Sequence, residues 1–171
     1  MSDYSVAGPP SLRNEYALLR IARDRHHIDE STGGLSKARI NLKDLCGDPV
    51  TNTPSKQRSF STFMLCNQCI DALMETARAS VKEPSADLEP KGAAASLQQL
   101  TAIDSGGFPA LRIEEEAEKT GRAGHVGIRF SSHVIEAGEP EWRRVRDALI
   151  STFSKVSPID QLKRDNCPSN E

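Results

Sequence analysis

Aromatic side chains are scarce, with five Phe, two Tyr and one Trp among 171 residues, so any core must be small and largely aliphatic. Leu, Ile, Val and Phe together fill 36 positions, just above the ~20 % level below which highly charged chains stay unfolded. A strong charge of one sign is missing as well. Against 22 Lys and Arg stand 24 Asp and Glu, a net charge of -2, so self-repulsion does not oppose a folded core. The same balance gives no whole-chain field to draw the protein onto a phosphate backbone, and nucleic-acid binding would have to rest on a local patch. No stretch approaches the about 18 consecutive apolar residues of a bilayer-spanning helix. Residues 1–10 lack the basic start and apolar run of a secretory signal, so the expected location is intracellular and cytoplasmic. Four cysteines are too few for a disulfide scaffold in a chain of this length. Phosphate-cradling glycine loops, nucleophile elbows and paired-histidine metalloprotease motifs are also lacking.

What is there is a patchwork of short patterned segments. Ser11 stands as an N-cap before Leu12, Tyr16 and Leu19 at helical spacing, which predicts a helix from about Leu12 to His26. Ala38, Ile40 and Leu42 alternate with polar residues and read as a strand. Asp48 to Ser59, with two prolines and one large apolar residue, reads as a loop. Phe60 to Leu65 reads as a second strand. Beyond Asn67, the positions Ile70, Leu73, Met74, Ala77 and Val81 make the most regular helical stripe in the chain, which Pro84 ends.

From Pro84 to Gly107 the chain is rich in Pro, Ala, Ser, Gln and Gly and reads as a mobile linker with a short helix near Leu97, Leu100 and Ile103. Phe108–Glu114 and His125–Ile135 then read as two strands of a hairpin turning around Gly121 and Gly124. One face of the later strand carries Val126, Ile128, Phe130 and Val134, the other His125, Arg129, Ser131 and His133. Such a hairpin brings Glu114 or Glu116 near Arg129. Pro140 in a first turn, followed by Trp142, Val145, Leu149 and Phe153, predicts an amphipathic helix. The polar end from Ile159 to Glu171 reads as frayed.

Chemistry concentrates at Cys66-Asn67-Gln68-Cys69, where a two-residue spacer lets two sulfurs converge on one tetrahedral ion. Cys46-Gly47 resembles the second half of a zinc knuckle, in which glycine lets the chain turn beneath the metal. The layout of knuckle, loop, strand and helix resembles a treble-clef or zinc-ribbon site, although Lys43 stands where that knuckle's first cysteine belongs. The resemblance implies a structural zinc held by Cys46, Cys66 and Cys69 with His26 as fourth ligand. His27, Asp44, Cys167 or a water are the alternatives for that fourth place. The competing reading is plain burial of small side chains at a helix start.

A second view takes Cys66 and Cys69 as a redox pair, because a helix N-terminus lowers a thiol's pKa. Gly107-Phe108-Pro109-Ala110-Leu111 resembles the proline-bearing strand beside the cysteine pair of thioredoxin-like proteins. His125 and His133 lie about 26 Å apart on an extended strand and cannot share an ion. Arg129, Arg143, Arg144 and Arg146 are candidates for a small anion-binding face, set against the simpler reading of a solvated helix surface.

Together these readings give an α+β protein of about three helices and four strands in two small lobes. Residues 1–83 form a cysteine-bearing lobe, 84–107 a flexible linker, 108–158 a hairpin-plus-helix lobe and 159–171 a disordered tail. The function expected is a non-enzymatic intracellular adaptor with a protein partner and a structural zinc, binding through exposed loop or hairpin surface, with no membrane association. A thiol-disulfide oxidoreductase and a nucleic-acid-binding protein using the arginine patch are the alternatives.

Overall fold

A computed structural model describes residues 16–22, 25–50, 53–65, 74–75, 78–79, 90–122 and 124–166. Its centre is the strand β1, Ala17–Ala22 (ALLRIA), five of whose six residues are buried. A segment apolar on both faces carries no periodicity that separates strand from helix, and here pairing with neighbours decides. The helix expected from Leu12 to His26 is corrected accordingly: 17–22 is strand, and only Arg25–His27 form a short 3-10 turn.

The expected strand at 38–42 is likewise replaced by a 3-10 turn, Lys37–Arg39, and a short helix α1, Leu42–Cys46. Asn41 caps that helix by accepting a hydrogen bond from the Lys43 N–H, and Gly47 ends it in the left-handed conformation at φ 77°. Both are ordinary helix-terminus devices. The expected loop 48–59 contains a two-stranded ribbon, β2 (Pro49–Val50) with β3 (Thr53–Gln57). The strand β4, Phe60–Leu65, forms as its sequence predicts. Of the stripe beyond Asn67, residues 74–75 and 78–79 are helical and the others lie outside the described residues.

The mobile linker expected over 84–107 is replaced by a strand at Lys91–Ser96, while the short helix expected near Leu97, Leu100 and Ile103 forms. Lys91–Ser96 is β5, paired with β1 over six residues, and Leu97–Thr101 is the helix α2. Alanine and glycine are poor strand formers, which hid β5 in the sequence. Small residues are needed there, since a Cβ on Gly92 would come 2.5 Å from the Arg20 carbonyl oxygen.

A tight ribbon follows, β6 (Asp104–Ser105) with β7 (Phe108–Pro109). Its two linking residues, Gly106 and Gly107, have φ of 60° and 87°, as a type I′ hairpin turn requires. Then come β8 (Leu111–Glu115), a short helix α3 (Ala117–Thr120), β9 (His125–Phe130), α4 (Ser132–Ala137) and α5 (Glu139–Thr152). The later strand expected to run on to Ile135 stops at Phe130. β10 (Ser157–Pro158) and α6 (Ile159–Asn166) complete the described chain. The frayed tail is thus corrected over 159–166, where Ile159 and Leu162 are buried.

Six strands make one antiparallel sheet in the order β10-β5-β1-β4-β9-β8. That sheet and its two accessory ribbons correct the count of about three helices and four strands: the chain is mixed α+β but strand-rich. Among the described residues the two small lobes are not seen. A single buried cluster runs from Tyr16, Leu18 and Leu19 through Phe60, Met64 and Leu65 to Val145, Leu149 and Leu162, and the β4–β9 pairing joins β5, β1 and β4 to β9 and β8 in one continuous sheet. On one face α5 supplies Val145 and Leu149, both fully buried, each stabilising by about 1.5–3 kcal/mol relative to exposure. Phe60 meets Phe153 edge to face at 5.8 Å, and Phe130 stacks on Trp142 at 6.4 Å. No helix among the described residues is long and apolar enough to cross a membrane.

Candidate interaction surface

Alternation along β9 sends Val126, Ile128 and Phe130 to the α5 side and His125, Gly127 and Arg129 to the other. The second set is buried rather than exposed, with Arg129 only 3 % accessible. The hairpin partner supplies the reason. Arg129 Nη2 lies 3.1 Å from Glu116 Oε2 and Nη1 lies 3.6 Å from Glu114 Oε1, while Nε donates to the Arg58 carbonyl at 2.8 Å. Glycine at 127 makes room for this pair: a Cβ there would overlap Glu116 Oε1 and come 2.7 Å from its Cδ.

His125 Nδ1 is 3.0 Å from Thr120 Oγ1, and its ring lies 5.3 Å from that of Phe63. Burial is the chief cause that lowers the His125 pKa, with Arg122 and Arg129 adding to it against Glu116. Among the described residues Glu116 Oε1 and His125 Nε2 find no hydrogen-bond partner. Glu116, His125 and Arg129 are buried, and their contacts lock β8, α3 and β9 together.

The surface lies just beyond it. Ser131 N–H donates to Ala110 and Glu116 N–H donates to His125 at the two ends of the β8–β9 pairing. Bonded pairs alternate in an antiparallel ladder, so Arg112 and Glu114 bond inward to Arg129 and Gly127. The backbone N–H and C=O of Leu111 and Ile113 consequently point away from the sheet, and no described strand pairs with that edge. Beside it a groove of about 520 Å³ is lined by Phe108, Leu111, Arg112, Ser131 and His133, among others. Phe108 is 61 % exposed, the one large apolar side chain so placed among the described residues, and its ring rests 5.3 Å from His133. The ribbon carrying it is fastened to α5: Ser105 Oγ donates to Glu141 and Arg144 Nη2 donates to the Asp104 carbonyl at 2.9 Å. Those bonds from Arg144 and Ser105 bring the Glu141 carboxyl down to about 2.

The sequence candidates that are described lie apart from this edge. Cys66 and Cys69 lie outside the described residues. Cys46 is half-buried at the end of α1, where burial, followed by Asp48, pushes its thiol above the usual range. The Cys46-Gly47 step, read above as part of a knuckle, is a helix C-cap whose glycine packs against the Arg129 side chain. It sits next to Arg58, at the end where β4 begins. His26 is exposed in the first 3-10 turn. Among the described residues no three His, Cys, Asp or Glu side chains are grouped to hold a metal.

Nor are the four arginines brought to one face. Arg129 is buried in its ion pairs. Arg143 pairs with Glu139 at 3.3 Å, Arg144 with Glu141 at 2.6 Å and Arg146 with Asp147 at 3.1 Å. The β8 edge and the Phe108 groove have no motif in the sequence, although a Phe set between Gly106-Gly107 and Pro109 marks an apolar residue held at a turn. No protein-family model, curated protein or solved structure matches this chain.

Proposed function

We propose that this chain is a non-enzymatic interaction protein that takes an extended protein segment against the outer edge of β8, with the Phe108 groove receiving an apolar side chain. The observation that carries the reading is the outward-facing backbone of Leu111 and Ile113 directly beside an exposed Phe108. An extended segment satisfies those backbone groups by forming one more strand, and side-chain pockets at the edge provide selectivity. The tethers from Ser105 and Arg144 favour a preformed groove, which lowers the ordering cost of binding.

A displayed library of random peptides, selected on the wild-type chain and counter-screened on variants, tests it. Enriched peptides should bind the wild type, lose binding to Ile113→Pro and weaken on Phe108→Ala. Proline suits this test because the Ile113 N–H takes no part in the β8–β9 ladder. Equal recovery of peptides on wild type and Ile113→Pro overturns the reading.

A further inference from the structure

The segment Leu111-Arg112-Ile113-Glu114-Glu115 has a charge pattern that complements itself when it is reversed. We infer that the partner strand on β8 is β8 of a second copy of this chain, the two sheets joining antiparallel across a two-fold axis at Ile113. This rests on the proposed edge-binding reading and names its occupant. Symmetric edge pairing requires antiparallel strands, and the outward groups of Leu111 and Ile113 limit where the axis can fall. Centring it on Leu111 sets Ile113 opposite Pro109, which has no N–H to donate. Centring it on Glu115 sets Glu114 opposite Glu116, like charge against like charge.

Centring it on Ile113 satisfies both constraints. Ile113 meets Ile113 of the second copy in a doubly bonded pair. Arg112 then stands directly across from Glu114 of the second copy, and Glu114 across from its Arg112, on one face of the joined sheet. Within one chain Arg112 Nε and Glu114 Oε1 are already 2.9 Å apart, both about half exposed. Joining two copies closes an alternating square of two guanidinium and two carboxylate groups, and directly opposed pairs of this kind favour one register over its neighbours. Glu114 also reaches Arg129, so the square continues into the buried pair on β9.

Sedimentation equilibrium of the full chain over a wide concentration range tests the inference. The wild type should rise from 18.7 kDa towards twice that mass. Arg112→Glu and Glu114→Lys, each self-repelling across the axis, should remain at the mass of one chain, and an equimolar mixture of the two should recover the double mass. Ile113→Pro should stay at one chain, and all three variants should keep the wild-type far-ultraviolet spectrum, which separates lost pairing from misfolding. A wild type that stays at one chain up to millimolar concentration overturns the inference, as does a double mass that survives Ile113→Pro or a mixture that fails to recover it. A monomeric wild type that still captures library peptides through Ile113 refutes only the second copy as occupant. One that captures none refutes the edge-binding reading too.

Discussion

Replacing Gly127 by alanine adds one methyl group at a point where the structure has no room. Its Cβ would overlap Glu116 Oε1, approach Glu116 Cδ to 2.7 Å and Ser59 Oγ to 3.0 Å. Glu116 must swing away, and with it goes the 3.1 Å contact that compensates the buried Arg129 guanidinium. Breaking a buried pair from one side costs about 3–5 kcal/mol. Alanine in a strand recovers roughly 0.5–1 kcal/mol of that relative to glycine, leaving a net loss of about 2–4 kcal/mol. For a chain of this size, at ~2–4 °C per kcal/mol, the midpoint should fall by about 4–16 °C. Chemical denaturation of a double-mutant cycle identifies the cause. Glu116→Ala alone should also destabilise, because it strands Arg129, but Gly127→Ala added to it should cost nearly nothing since the overlapping carboxylate is gone. Additive losses, or a single-variant loss below about 1 kcal/mol, would refute the claim that Gly127 exists to seat Glu116.

Three further outcomes follow from the same packing. His125 has a folded pKa below its ordinary 6.5 because it is buried. Its neutral form therefore supports stability fully above pH 6.5, and that support is lost as pH falls below 6.5. Denaturant midpoints of the wild type should decline through that range, and His125→Gln should flatten the decline. Gly92→Ala should cost about 1–3 kcal/mol by denaturant titration, because the obstructing atom is the Arg20 backbone oxygen and no side-chain rotation relieves it. Leu149→Ala should cost about 2–5 kcal/mol by the same assay, since Leu149 is fully buried beneath the sheet.

The later half was the more legible in sequence. β9 shows its α5 side as Val126, Ile128 and Phe130, α5 shows Pro140, Trp142, Val145 and Leu149, and the hairpin pattern brings Glu114 or Glu116 near Arg129, although the register sets Arg112 directly opposite it. The earlier half misled for physical reasons. Apart from Arg20, residues 17–22 are apolar on both faces, so their partners rather than their spacing make them a strand. β5 carries Gly-Ala-Ala-Ala, with Gly92 required by the nearby Arg20 carbonyl, and so lacks the bulky residues by which strands are recognised. Burial of His125 and Arg129 reversed the expected polar face, since a carboxylate placed by β8 removes the penalty that normally keeps an arginine outside. For the candidate surface, an edge is a property of the finished sheet, and no local spacing in β8 announces that its outer side lacks a neighbour. The Cys46-Gly47 step had two structural meanings, and Asn41 at the far end of α1 supports the capping one.

The opposite margin of the sheet is closed by the chain itself. Ser154 exchanges bonds with Ala94, Ser157 and Pro158 pair with Gly92 and Lys91, and the Ile159 N–H reaches the Pro90 carbonyl. With one margin covered by a two-residue strand that contains a proline, growth by strand addition is disfavoured there: once β8 is paired, the joined sheet ends on short proline-bearing edges. Removing residues 154–166 would unseal β5 and leave two sticky margins per molecule, and a finite pair would give way to open-ended fibres.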